Sequence, residues 1–188
     1  GEPIEVVVFE ALPLRVVGVI HDPFHVPVVL VLVDEFEDVV VVGGVVTGDV
    51  IAVTGSVIIE GTVEGSVRAT AGSVSVSGTV QRDLVVVAGS TEVTGRVERD
   101  LLAWGWSLNL AGAVDGFVWG QTIGVTRISG DIGRDFEMTV GSLEVLDGAS
   151  VQGDLGYKAK DPALVADSVE IGGQLIQREQ TRQNIRIR

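Results

Sequence analysis

The chain is 188 residues long, 46% of them hydrophobic, with a mean hydropathy of +0.42, which supplies one buried core and excludes disorder as the default reading. Its 26 acidic and 13 basic residues leave a net charge of −13, which repels phosphate backbones and sets nucleic acid aside as a partner. With no cysteine, disulfides, thiolate metal sites and a cysteine nucleophile are excluded.

Aromatic residues make up only 5% of the chain, glycine numbers 25 and valine dominates almost every stretch. That composition favours strands joined at small-residue corners over helical bundles. Charge is unevenly placed. Residues 1–67 hold 11 acids against Arg15 alone, whereas residues 177–188 hold Glu179 against four arginines, so an acidic front precedes a basic tail.

In chain order, residues 4–33 read as three strands, IEVVVF, LRVVGVI and VVLVLV, separated by Pro13 and by HDPFHVP. They lack the repeat that follows, and residues 1–38 are expected to form an N-terminal β cap over an otherwise unpaired end. His21 and His25, with Asp22 between them, are the only histidines. Pro23 prevents a helix from bringing them to one face, so a surface turn is expected and no metal site. The apolar run Val26–Val33 is eight residues, far below the roughly 20 needed to cross a bilayer as a helix. No membrane span is expected within the chain.

From residue 39 to 176 one pattern recurs eight times: VTGDV at Val46, VEGSV at Val63, VQRDL at Val80, VERDL at Val97, VDGFV at Val114, IGRDF at Ile132, VQGDL at Val151 and IGGQL at Ile171. Successive intervals are 17, 17, 17, 17, 18, 19 and 20 residues. Apolar residues within a repeat alternate, the period of strands with one buried face. Since 17 is odd, each repeat must contain a corner that resets parity. The Gly-Ser pairs at Gly55, Gly72 and Gly89 fall at that slip, and a positive φ is expected of these glycines. About three short strands per repeat are too few for a barrel; stacking each turn on the last resolves this, with equivalent positions about 4.8 Å apart.

The fold expected is therefore all-β, a single-stranded parallel β-helix with about 17 residues per turn and a rod about 35–40 Å long. Four interior columns follow. They run through Val57, Val74, Thr91, Leu108, Thr126 and Leu143; Ile59, Val76, Val93, Leu110, Ile128 and Val145; Val63, Val80, Val97, Val114, Ile132 and Val151; and Val67, Leu84, Leu101, Val118, Phe136 and Leu155. Residues 177–188 form a basic C-terminal tail.

The 17-residue spacing, the GTVEGSV rhythm and the valine-rich faces resemble the bactofilin family of polymer-forming bacterial proteins, over about residues 39–175. The resemblance implies a right-handed β-helix that assembles end to end into filaments without nucleotide and scaffolds envelope-associated proteins. The stretch GDLGYKAKDPALVADSVEIGGQL is similar to the last repeat of bactofilin-like ectodomains of bacterial membrane proteins. Two departures stand out: residues 1–38 are apolar and non-repeating, and Arg82, Arg99 and Arg134 are expected to crowd a corner usually left to glycine.

Catalytic readings find little support. Val57, Val63 and Ala69 are six apart, as in the hexapeptide acyltransferases, but those enzymes use histidine and residues 39–176 contain none. The outward acids Glu60, Asp83, Asp100, Asp115 and Asp154 fall at several repeat positions rather than clustering as in pectinase-like β-helices. No nucleophile elbow, P-loop or dinucleotide fingerprint occurs, and neither enzymatic activity nor a cofactor is expected.

The outward residues are more informative. Ser75, Ser77, Glu92, Thr94, Asn109, Arg127 and Ser129 make one face polar, while Val85, Val87, Leu102, Trp104 and Trp119 make another an apolar ribbon. Such a ribbon marks an interaction surface unless residues 1–33 fold back over it. The expected function is a structural scaffold of the bacterial cytoskeleton or envelope that self-associates through rod ends and side faces. Its partners are further copies of itself and envelope or membrane proteins, on the cytoplasmic or the extracytoplasmic side. The alternative is a ligand- or partner-binding ectodomain of a membrane protein.

Overall fold

A computed structural model describes residues 6–9, 19–20, 28–32 and 39–178, and side chains from residue 39 onward. The described residues are all β, stacked as a parallel solenoid. Each early turn consists of one ten-residue strand and one two-residue strand: Val50–Ile59 with Thr62–Val63, Val67–Val76 with Thr79–Val80, Leu84–Val93 with Arg96–Val97, and Leu101–Leu110 with Ala113–Val114. The two-residue strands stack into an eight-stranded parallel sheet, one rung per turn from Val45–Val46 to Glu170–Ile171.

The long strand bends in its middle and so supplies two faces of the coil. In Val50–Ile59, Ala52 and Thr54 are buried, Gly55 and Ser56 partly exposed, and Val57 and Ile59 buried again, so parity slips at the Gly-Ser pair. That is where an odd repeat demands it. The expected three short strands are instead a bent strand and a short one, because neighbouring turns keep their register through the bend, Thr54 with Ala71 and Ser56 with Ser73.

The positive φ expected of Gly55, Gly72 and Gly89 is not there; among the described glycines only Gly120 (+147°) and Gly148 (+84°) have one. The requirement is closeness. A Cβ on Gly72 would lie 2.9 Å from the Gly55 carbonyl oxygen, and one on Gly89 would lie 2.7 Å from that of Gly72. A second glycine column, Gly61, Gly78, Gly95, Gly112 and Gly130, is tighter still: a Cβ on Gly95 would stand 2.0 Å from the Gly78 oxygen.

All four interior columns are in the expected register. Every one of their side chains is at most 4% exposed. A fifth inward column, Ala52, Ala69, Val86, Ala103, Gly120, Met138 and Tyr157, fills the space beneath the first face. The core is thus a stack of aliphatic layers touching mainly the layers above and below, as in repeat proteins generally.

After residue 117 the turns lengthen. The long strand divides into Val118–Thr122 and Val125–Ile128, then Phe136–Thr139 and Ser142–Val145, then Leu155–Lys158 and Leu164–Val165. Added residues sit at the corners. One corner is tied by a buried Thr122 Oγ1 to Thr126 Oγ1 bond of 2.6 Å, and another by the Ala163 N–H donating to Tyr157 Oη at 2.9 Å.

Before residue 50, Val28–Leu32 pairs in parallel with the strand Val50–Ile59 from Val29 with Val50 to Leu32 with Val53, and Val39–Val42 with its second half. Val6–Phe9 pairs antiparallel with Val39–Val42, and Val19–Ile20 antiparallel with Val28–Leu32. Most of the expected cap 1–38, with His21 and His25, and residues 179–188 of the tail lie outside the described residues.

Candidate interaction face

On the first face of the coil, strand alternation sends two columns outward. One runs Ile51, Arg68, Val85, Leu102, Trp119, Glu137 and Gly156; the other Val53, Thr70, Val87, Trp104, Gln121, Thr139 and Lys158. The five ribbon residues Val85, Val87, Leu102, Trp104 and Trp119 are therefore adjacent on three consecutive turns. Trp119 is 50% and Val87 49% exposed, and the other three are partly exposed. The two indoles meet edge to face, with centroids 5.5 Å apart and planes at 81°, the arrangement preferred by the ring quadrupoles.

Three more exposed apolar residues border this ribbon at its corners and escape strand alternation: Trp106 (63% exposed), Phe117 and Ile123. Corner residues belong to neither parity class, so a reading built on alternation has no means of pointing them in or out. Their only sequence signal is position, next to the parity slip or in the loop after an Asp.

Charge brackets the ribbon. Arg68 lies before it, paired with Asp49 at 3.1 Å, and Glu137 after it, paired with Arg178. A cleft of about 180 Å³ beside Trp104 and Trp119 is bordered by Gln121, Glu137, Lys158 and Arg178, and another of about 320 Å³ lies among Leu102, Phe117, Trp119 and Asp135.

The second face is polar. Glu92, Ser77, Thr94 and Arg127 are exposed, while Ser75, Asn109 and Ser129 are partly exposed. Its neighbours are already paired across turns: Asn109 Nδ2 donates to Glu92 Oε1 at 3.2 Å and Arg127 Nε to Glu144 Oε2 at 2.7 Å.

Three of the outward acids, Asp83, Asp100 and Asp154, share a single corner column with Asp49 and Asp135. Asp49, Asp100, Asp135 and Asp154 each use Oδ1 to accept the backbone N–H of the next turn, that of Ser66, Phe117, Asp154 and Gln174, at 2.8–2.9 Å. These carboxylates satisfy N–H groups that a tight corner leaves without a ladder partner. Asp83 instead faces Arg99 Nε at 3.5 Å. Arg82, Arg99 and Arg134 do not crowd the corner: all three are exposed, and Arg134 lies over the Phe117 ring at 5.2 Å.

At the last described turn the interior columns become more exposed. Leu175, successor to the fully buried Leu155, is 50% exposed; Val165 and Ile171 are partly exposed. Among the described residues, the strand Leu175–Arg178 is the last of its sheet. Among the described residues, no group of three or more His, Cys, Asp or Glu side chains is placed to hold a metal, and no helix is long and apolar enough to cross a membrane.

Compared with protein-family models, curated proteins and solved structures, the chain gives no significant match. Fold and surface define a class, the β-solenoid repeat proteins, with one polar and one apolar side.

Proposed function

We propose that the chain is a non-enzymatic scaffold of the bactofilin kind, which uses no cofactor and assembles end to end with further copies in the bacterial cytoskeleton or envelope. The observation that carries this reading lies at the last described turn of the rod. Leu175 continues a column whose preceding members Leu155, Phe136 and Val118 are at most 1% exposed, yet is itself half exposed. Among the described residues Leu175–Arg178 pairs on one side alone, and an edge strand over apolar side chains is a template for another strand. The rigid side faces would then present envelope or membrane proteins with a regular surface.

Light scattering over a wide concentration range, with electron microscopy, tests the proposal. The chain should form filaments or a ladder of oligomers, and Leu175→Asp should abolish them without unfolding the rod. A monomer at high concentration overturns it. The second reading, a ligand-binding ectodomain, draws on the clefts beside Trp119 and predicts a monomer whose tryptophan fluorescence responds to a small polar ligand.

A further inference from the structure

The apolar ribbon is symmetric in a way that selects its occupant. Each turn presents one outward pair, and Leu102 and Trp104 mark the centre. One turn before them stand Val85 and Val87, and one turn after stand Trp119 and Gln121. Two turns before stand Arg68 and Thr70, and two turns after stand Glu137 and Thr139. Three turns out stand Ile51 and Val53 on one side and the buried Gly156 and partly exposed Lys158 on the other.

We infer that this face binds a second copy of the chain, antiparallel, about a two-fold axis passing through Leu102 and Trp104. A two-fold axis lying in the interface across the rods reverses turn order but keeps each column opposite itself. Leu102 then meets the partner's Leu102, and Trp104 the partner's Trp104. Trp119 meets the partner's Val85, large against small, and Val87 meets the partner's Gln121; at the rim Val53 lies opposite the partner's Lys158. Arg68 lies opposite the partner's Glu137, and by symmetry the contact occurs twice.

Other registers fail. Moving the axis half a turn toward Val85 sets Arg68 against Trp119 and Glu137 against Ile51; moving it the other way sets Glu137 against Val85. Both leave Glu137 on an apolar side chain and Arg68 without an opposite charge, whereas the register through Leu102 and Trp104 pairs these two and sets only Lys158, at the last turn of the face, opposite the partner's Val53. Parallel rods lay one column over the other at the same turn, so Arg68 meets Thr70 and Glu137 meets Thr139, neither directly opposite a charge; the partner's Lys158 lies one turn beyond Glu137 and Arg68 has no acid near it. The side chains of Arg68 and Glu137 are each 51% exposed despite their intrachain partners Asp49 and Arg178, so both can accept a second contact.

The size is adequate. The face is about 17 Å wide and about 35 Å long, or roughly 600 Å² per copy and about 1,200 Å² in total, the lower bound of stable interfaces. The dimer is therefore reversible. It does not depend on end-to-end assembly.

A charge-swap cycle tests the inference by sedimentation equilibrium of the full chain, with Leu175→Asp in every sample to block end contacts and circular dichroism to verify folding. The chain with both native charges should dimerise. Arg68→Glu alone and Glu137→Arg alone should each raise the dimer Kd roughly tenfold or more, and the double variant should restore it to within about threefold. Within one copy Arg68 and Glu137 are four turns apart, about 19 Å, so loss of an intrachain pair cannot produce that rescue. Because the chain has no cysteine, Arg68→Cys and Glu137→Cys proteins can be mixed with a short bismaleimide; cross-links should join the two variants and not Arg68→Cys to itself.

A monomer at every concentration, single swaps without effect, a double variant no better than the singles, or self-cross-linking of Arg68→Cys each overturns the dimer. None of these outcomes touches the end-to-end reading, which is judged on filaments formed with Leu175 intact.

Discussion

From Val50 to Phe117 each long strand runs ten residues through its bend, whereas from Val118 to Gln174 the same path is two strands and a loop. The inward side chains change in step. In the earlier turns the fifth column is Ala52, Ala69, Val86 and Ala103; in the later turns it becomes Met138 and Tyr157, beside Phe136 in the next column. A coil with more residues encloses a wider cross-section, and close packing then requires larger side chains. The first extra residue enters at residues 123–124, since Gly105 pairs with Thr122 at an interval of 17 and Leu108 with Thr126 at 18, and Gly120 just before it marks the changeover: its φ of +147° and the 1.9 Å that would separate a Cβ from the Ala103 oxygen leave no room for a side chain. Repeat length is thus set by corner insertions, and core volume follows it.

The comparison can be broken most severely in the middle of the strict turns. Val97→Asp places an unpaired carboxylate between Val80 and Val114 in a column with no exposure, and should cost several kcal/mol. Val151→Asp, in the same column near the last described turn, should cost less, because the last turns can fray to hydrate the charge. Urea denaturation of both proteins measures this, and equal losses would mean that the turns unfold as one unit.

Glycines should separate the two regions next. Gly95→Ala forces a Cβ to within 2.0 Å of the Gly78 oxygen, and prying two turns apart should cost about 3 kcal/mol. Gly148→Ala meets nothing within 4 Å but sits at φ +84°, so it should cost about 1–2 kcal/mol. Gly148→Asn should recover part of that, since asparagine tolerates the left-handed region, whereas Gly95→Asn should recover nothing. Thermal melts of the four proteins decide the point.

The smallest effect belongs to surface pairs. Arg96 Nη2 lies 2.7 Å from Asp115 Oδ2, but the two side chains are 54% and 39% exposed. Arg96→Ala should change stability by less than about 1 kcal/mol, and less again in high salt.

The columns were legible because every fourth or second residue within a fixed repeat must face the same way, and valine or leucine at Val63, Val80, Val97 and Val114 leaves no other register. The ribbon was legible by the same parity: Val85 and Leu102 alternate with Leu84 and Leu101. What parity cannot reach are the corners. Trp106 and Ile123 lie where alternation lapses. The need for glycine at Gly55, Gly72 and Gly89 comes from the turn below, through space, and not from local φ. The Asp column was hidden because Asp100 and Asp154 look like solvated acids until the N–H of the following turn is placed against them. The pairing of Val28–Leu32 with Val50–Ile59 was illegible as a repeat because residues 33–38 interrupt the 17-residue interval.

Each strict turn hydrogen-bonds to the turns 17 residues away on either side, as Gly78 N does to Ile59 O and Gly95 N to Val76 O. Nothing in such a stack counts how many turns there are. Tandem duplication of residues 67–83 would add one more layer, carrying its own glycine corner and its own inward valines, and would lengthen the rod by about 4.8 Å. The molecule is in this sense a ruler whose length is written in multiples of a short stretch of coding sequence, adjustable by duplication or deletion without redesign of the core.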